Sequence, residues 1–413
     1  MCSEKSAEKQ QVWLVDEALK NRLGHWYEYD RAAITAIESS GWFKVTLLGN
    51  RAMSDEIQQE LSAERVFRFT NWDGIYESSS ALKRYLGVLV HNHRMYLDLH
   101  RFLRETDRPD YLFAPTVVLH HLLGFYILAR LHRSVTLVLM IRNNIAVYDG
   151  RTRRFRRTAI FWKWMLWLYN PLIRASRARF VTDSQYLADE VAELAGTPCR
   201  VIPHPSLIGF SNDAVKEKGA EGRTAIRLFL PGPARYEKGI DLLLQALEWL
   251  AAEKARKGDL PNILLTIQWA GSFTLPSGEV FSMETLAEST IGSIINILDK
   301  PLTSAEYEHH LAMADVIVLP YRREAYYARI SGVAVEALLK AKPTVYFEGT
   351  WLAQLMKSYD VGIECEEDPA SLADAILRAI VSLDDLRHTA ELAAPRVKKD
   401  FSAERFVEGL FGE

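Results

Sequence analysis

The 413-residue chain is poor in cysteine: Cys2, Cys199 and Cys365 stand far apart and form no metal-ligand spacing. That suits a reducing compartment with buried or idle thiols. No run of about 18 apolar residues occurs, so no transmembrane helix is expected. Met1 to Gln11 is polar and charged, with no apolar core, so no secretory signal is expected either. Low-complexity tracts are missing. So is a large excess of one charge: the net value is -3, so global basicity recruits no nucleic acid and any basic site has to be local. What remains is the composition of an ordinary soluble protein, 48% hydrophobic and 25% charged. The length exceeds what one hydrophobic core usually serves, so two domains are expected.

Short apolar runs alternate with helix-period stretches. The first half offers "VWLV" (12–15), "VTLLG" (45–49), "VFRF" (66–69), "YLFAP" (111–115), "VTLVLMIRN" (135–143), "RFVTDS" (179–184) and "RVIPHP" (200–205). The second half repeats the pattern with "IRLFLPG" (226–232), "ILLTIQWAG" (263–271), "IINILDKPL" (294–302), "DVIVLPY" (315–321) and "PTVYFEG" (343–349). Strands alternating with helices predict parallel sheets covered on both faces. Residues 206–224 are polar and glycine-containing, without a clear period, and read as a linker. The expected domains are 1–205 and 225–395, with a last helix in 396–413 packing back on the first domain. In such sheets ligands sit outside the carboxyl ends of the strands.

Two stretches carry candidate chemistry. In "LPGPARYEKGIDLLLQAL" (230–247) a strand ends at Pro231-Gly232, a loop carries Arg235 and Lys238, and Gly239 opens a helix. Two cations beside free helix N–H groups fit a diphosphate; a solvated basic turn capping the helix fits equally. In "ADVIVLPYRREAYYARISGVAVEAL" (314–338) a strand feeds a loop with Arg322, Arg323 and Arg329. Ser331 is an N-cap candidate, Gly332 and Val333 then present backbone donors, and Glu336 lies in the second turn. Glu336 suits a sugar hydroxyl, or simply the helix dipole.

Taken together, these stretches resemble the family 4 glycosyltransferases and their relatives of the GT-B fold. "GPARYEKG" looks like that family's diphosphate loop, and "ADVIVLPY" with "SGVAVEALLKAKPTV" like its donor-site strand, loop and helix. The resemblance implies an α/β architecture of two doubly wound Rossmann-like domains facing across a cleft. It implies that Gly232, Arg235, Lys238 and Arg329 hold a donor diphosphate, with Arg235 and Lys238 stabilising the leaving group. Ser331, Gly332 and Val333 would add N–H contacts, and Glu336 would take the ribose hydroxyls. The sequence departs from the family where a first glutamate is usual: Ala328 stands there, leaving its place near the donor sugar empty or filled by Arg329 or Glu324. Pro233 stands where an Arg usually follows the glycine. Gly24-His25 replaces a Gly-Gly turn, so His25 is either an acceptor contact or base, or a plain helix N-terminal histidine. His120 and His121 read mainly as packing or surface residues. No Asp-x-Asp occurs, so Arg235 and Lys238 are expected to do the work of a metal, and no metal or other cofactor is expected.

The most biased stretch is Arg151 to Arg179, "RTRRFRRTAIFWKWMLWLYNPLIRASRAR". Its apolar middle, Ala159 to Leu172, is too short to span a bilayer. It suits a helix lying in a membrane interface; a core helix beside an exposed arginine loop is the other reading, and nucleic acid a third.

The sequence thus leads to an expected glycosyltransferase that moves a sugar from a nucleotide-sugar donor to a glycan or lipid-linked acceptor. The resemblance implies retention of configuration, and a cytoplasmic location with contact at the inner membrane face is expected. A nucleotide-sugar epimerase of the same fold and a catalytically idle binding protein are the rivals.

Overall fold

The computed structural model describes residues 9–22, 26–72, 81–148, 152–210, 225–258, 260–269 and 291–412, and, between these last two, residues 272–275, 278, 280–282, 286 and 289. The chain divides into two compact units: Met1–Val147 with Arg153–Phe210 and Phe401–Glu413, and Tyr148–Thr152 with Ser211–Asp400.

The first unit is built on a seven-stranded sheet. Its strands are β1 (Gln10–Val15), β2 (Phe43–Asn50), β3 (Glu64–Phe67), β4 (Tyr111–Ala114), β5 (Thr136–Met140), β6 (Ala178–Thr182) and β7 (Cys199–Val201). The order is β3-β2-β1-β4-β5-β6-β7 and every described pairing is parallel. The second unit holds a six-stranded sheet of β8 (Ile226–Pro233), β9 (Ile263–Gln268), β10 (Ile295–Leu298), β11 (Val316–Leu319), β12 (Thr344–Phe347) and β13 (Ile363–Cys365). Its order, β10-β9-β8-β11-β12-β13, is parallel throughout. Both sheets therefore reverse direction at one place, between β1 and β4 and between β8 and β11, where doubly wound sheets open a binding crevice.

The continuous apolar runs become central strands. Val316–Leu319 and Thr344–Phe347 are buried at every position, as strands covered on both faces require. Helix α1 (Trp26–Ser39) turns Ala32, Ala33, Ala36 and Ile37 inward, the i, i+1, i+4, i+5 stripe of an amphipathic helix. The short Ile363–Cys365 strand gave no apolar run in the sequence.

The second unit keeps the helix Leu383–Asp400, and the chain rejoins the first unit at Phe401, five residues after the expected boundary at 396. There helix Ala403–Phe411 buries Phe406, Val407, Leu410 and Phe411 in the core that holds α1. Arg179 donates to the carbonyls of Leu410 (3.1 Å) and Gly412 (2.7 Å), and Arg200 to Gly412 (2.7 Å). Cations so placed satisfy the last carbonyls of a helix and complement its dipole. The stretch read as a linker begins with structure: Ser206 is buried and Leu207–Phe210 forms a helical turn.

Candidate functional site

In the second unit, the turn after β8 folds against the turn after β11. Gly239 makes this possible. Its φ is +68°, and a Cβ there would come within 2.0 Å of the Pro320 carbonyl oxygen. Arg322 then locks the two turns. Its backbone N–H donates to the Glu237 carbonyl (3.0 Å) and its Nε to the Tyr236 carbonyl (3.1 Å). Its guanidinium meets Asp241 at 2.6 Å and Glu367 at 3.0 Å. Arg323 is held by Glu348 at 2.6 Å. Two of the loop's three arginines are thus engaged in architecture.

The cations that remain gather around one carboxylate. Arg235, 58% exposed, lies 3.6 Å from Glu237, and Arg329, 40% exposed, lies 4.0 Å from it. Exposed pairs of this kind contribute little to stability, so both guanidiniums can exchange Glu237 for a better anion. Lys238 is half-buried. Its ammonium donates to the Pro231 carbonyl (3.1 Å) and sits 5.6 Å from the Tyr321 ring centroid. Gly232, with φ +75°, leaves room for it: a Cβ would stand 2.7 Å from the Lys238 nitrogen. Burial pulls the Lys238 pKa down to about 7; Arg235 and Arg329 press it further, and Glu237 opposes them. Lys238 is thus a cation short of counter-charge.

Ser331 caps the following helix α2 (Gly332–Leu339), its hydroxyl accepting from the Ala334 N–H at 3.3 Å. Ala334 and Val335 also donate to the Ser331 carbonyl. Gly332 and Val333 carry the first-turn N–H groups that a helix cannot match internally. Glu336 is half-buried and accepts from the Tyr307 hydroxyl at 2.5 Å. Tyr307 belongs to helix α3 (Ser304–Met313) and lies against Phe229 of β8. Burial, then Glu336, holds its phenol well above the usual range, so it stays a donor. Ala328 is fully buried and Glu324 exposed. The structure thus brings Arg235, Lys238 and Arg329 around Glu237, and Ser331, Gly332, Val333 and Glu336 onto one helix start. Sequence reading missed Tyr307, Glu237 and the locking role of Arg322, whose partners lie far along the chain.

The first unit has its own polar cluster at the ends of β1 and β4. Asp16, Glu17, Trp26, Asn71, Trp72, Thr116 and His121 line a pocket there. Glu17 accepts from the Asn71 N–H at 2.6 Å, meets His91 at 2.8 Å and His121 at 3.1 Å. Burial alone would raise its pKa, but His121 and then His91 outweigh burial and hold it at about 2. These three side chains offer ligand atoms within 4.8 Å of one another, a spacing that fits a metal ion. Of the two histidine contacts of Glu17, that of His91 Nε2 has hydrogen-bond geometry and that of His121 Nε2 does not. The Val118 N–H donates to His121 Nδ1 (3.3 Å), and His121 Nε2 is the ring atom 3.1 Å from Glu17. His121 is buried, as a packing residue would be, and lies beside the Glu17 carboxylate. Beside it, burial raises the Asp16 carboxyl to about 6, and burial with Asp16 as neighbour raises Asp30 well above the usual range. His25, the sequence's acceptor-side candidate, lies outside the described residues.

No protein-family model and no curated protein matches the chain. Solved structures do. A glycosyltransferase from Rickettsia africae aligns over 97% of both chains, with 13% identity and a TM-score of 0.66. HepE of Anabaena in complex with UDP aligns over 97% of this chain and 98% of its own, with 15% identity and a TM-score of 0.60. Sucrose-phosphate synthase of Thermosynechococcus elongatus aligns over 97% and 96%, with 14% identity and a TM-score of 0.62. The fold is that of GT-B glycosyltransferases, as the sequence resemblance implied.

Proposed function

We propose that the protein is a glycosyltransferase of the family 4 kind. It takes a sugar from a nucleotide-sugar donor and passes it to a glycan or lipid-linked acceptor, with retention and without a metal. One observation carries the reading: Arg235, Lys238 and Arg329 converge beside the capped start of helix Gly332–Leu339, at the carboxyl ends of β8 and β11. That combination of fixed cations and aligned N–H groups is what a departing nucleoside diphosphate needs. HepE bound to UDP and to UDP-glucose supports the choice of ligand class. In this reading Arg235 and Lys238 neutralise the diphosphate as the glycosidic bond breaks. Gly332 and Val333 donate to its oxygens. Glu336, beside the Tyr307 hydroxyl, accepts from a ribose hydroxyl.

The test is a titration of the protein with UDP, GDP, ADP and dTDP, following thermal stability, beside Glu336→Ala. A ligand at 100 times its dissociation constant adds about 2.7 kcal/mol. One nucleotide should stabilise the wild type and fail to stabilise the variant. No shift with any nucleotide would overturn the transferase reading in favour of an idle protein of the same fold. A nucleotide sugar returned as its isomer, rather than as a glycoside, would turn it into an epimerase.

A further inference from the structure

We infer that the helix Ala159–Arg174 of the first unit docks the protein on an anionic lipid surface. From Arg151 to Thr182 the chain carries no Asp or Glu. The structure divides the cations of this stretch into two groups. Arg153 pairs with Glu193, Arg177 donates to the carbonyls of Ala129 and His132, and Arg179 caps the C-terminal helix. Arg156, Arg157, Lys163 and Arg174 are exposed.

The helix buries Ala159, Leu166, Tyr169 and Leu172. Two of its three tryptophans point the other way: Trp164 is 66% exposed and Trp167 65%, with Ile160 at 48%. At 3.6 residues per turn, positions 160, 164, 167 and 171 fall within an arc of roughly 60°. Lys163 and Arg174 border that arc along one edge. Trp164 and Trp167 therefore lie outside the core, whereas Trp162 packs partly against it and Tyr169 is fully buried, so the core-helix reading holds for one face of the helix. The neighbouring helix Leu119–Leu131 repeats the pattern, exposing Ile127 and Leu131 beside Arg130.

The occupant follows from this chemistry. Indoles flanked by cations on a helix too short to cross a bilayer suit the headgroup depth of an anionic membrane. A second copy is disfavoured, because a two-fold contact would press this all-cationic patch on itself. A single-stranded nucleic acid binds in a groove with stacking platforms, and this stripe lies along the outside of a helix. The lipid inference stands apart from the transferase reading. Its corollary, that the acceptor is carried by a lipid, rests on that reading.

The full chain should float with mixed phosphatidylcholine and phosphatidylglycerol vesicles and not with phosphatidylcholine alone, with a blue shift of tryptophan emission. Trp164→Ser with Trp167→Ser, and separately Arg156→Glu with Arg157→Glu, should each weaken binding by about tenfold or more. UDP binding, measured in parallel, should not change in either variant, which separates a failure here from a failure of the donor site. No flotation with anionic vesicles at low salt would overturn the inference. So would flotation undiminished by the tryptophan variant, a dimer that this variant dissociates, or an oligonucleotide that binds more tightly than the vesicles.

Discussion

At the carboxyl end of β1 the first unit places Asp16 and Glu17; at the carboxyl end of β8 the second unit places Arg235 and Lys238. The two sheets share the same central order and the same reversal point. The backbone therefore offers the same crevice twice, and side chains decide what enters. In the second unit the loops bring cations together and leave them weakly paired, so an anion is welcome. In the first unit Glu17 is held ionised beside His91 and His121, with Asp16, raised to about 6, and Asp30, raised well above the usual range, next to it. An anion would meet repulsion there, while neutral hydroxyls would meet acceptors.

The largest expected effect breaks the cationic side. Arg235→Ala with Lys238→Ala should lower UDP affinity and turnover by about a hundredfold or more, since each hydrogen bond between charged groups contributes about 1.5–3 kcal/mol. Thermal unfolding without ligand should show no loss of stability, because Arg235 is exposed with a long carboxylate contact and Lys238 is a cation disfavoured by its burial. Normal calorimetric UDP affinity in that double variant would sink the diphosphate assignment.

The acidic side responds differently. Glu17→Gln removes the charge that holds Asn71, His91 and His121 together. It should cost about 1–3 kcal/mol of stability, the usual penalty for a buried polar group losing its partner. Urea unfolding measures this. UDP affinity should stay as in the wild type. A loss of UDP binding as large as the stability loss would end the contrast, because both crevices would then serve one ligand.

Most strands were legible in the sequence because central parallel strands need continuous apolar runs, and the runs at 226–232, 315–321 and 343–349 supplied them. Ile363–Cys365 escaped because three residues carry no period. The residues at the carboxyl ends of β8 and β11 were legible because they cluster within two short loops. Their division of labour was not. Arg322 and Arg329 look alike in sequence, yet Arg322 is fixed by Asp241, 81 positions away, and by Glu367, 45 away. The His91–Glu17 contact spans 74 positions and leaves no local pattern. Helix 159–174 shows the same limit: its aromatic composition was plain, but which face met the core depended on Leu166, Tyr169 and Leu172 finding partners elsewhere.

The smallest effect sharpens the comparison through pH. Lys238 titrates near 7 rather than near 10.5, through burial first and then its arginine neighbours. Because the folded pKa is depressed, the unfolded chain holds this proton between those values and the folded chain does not. This group therefore adds stability as pH rises from 7 toward 10.5, and none below 7. Binding a diphosphate has the opposite preference, since it needs the ammonium. The ratio of wild-type to Lys238→Ala affinity for UDP should be largest below pH 7. Above that it should fall by up to about tenfold per pH unit, the limit for one coupled proton. Ionisation of UDP itself is common to both proteins and cancels in the ratio. A ratio that stays constant from pH 6 to pH 9 would mean that Lys238 meets no phosphate, leaving Arg235 and Arg329 to hold the anion alone.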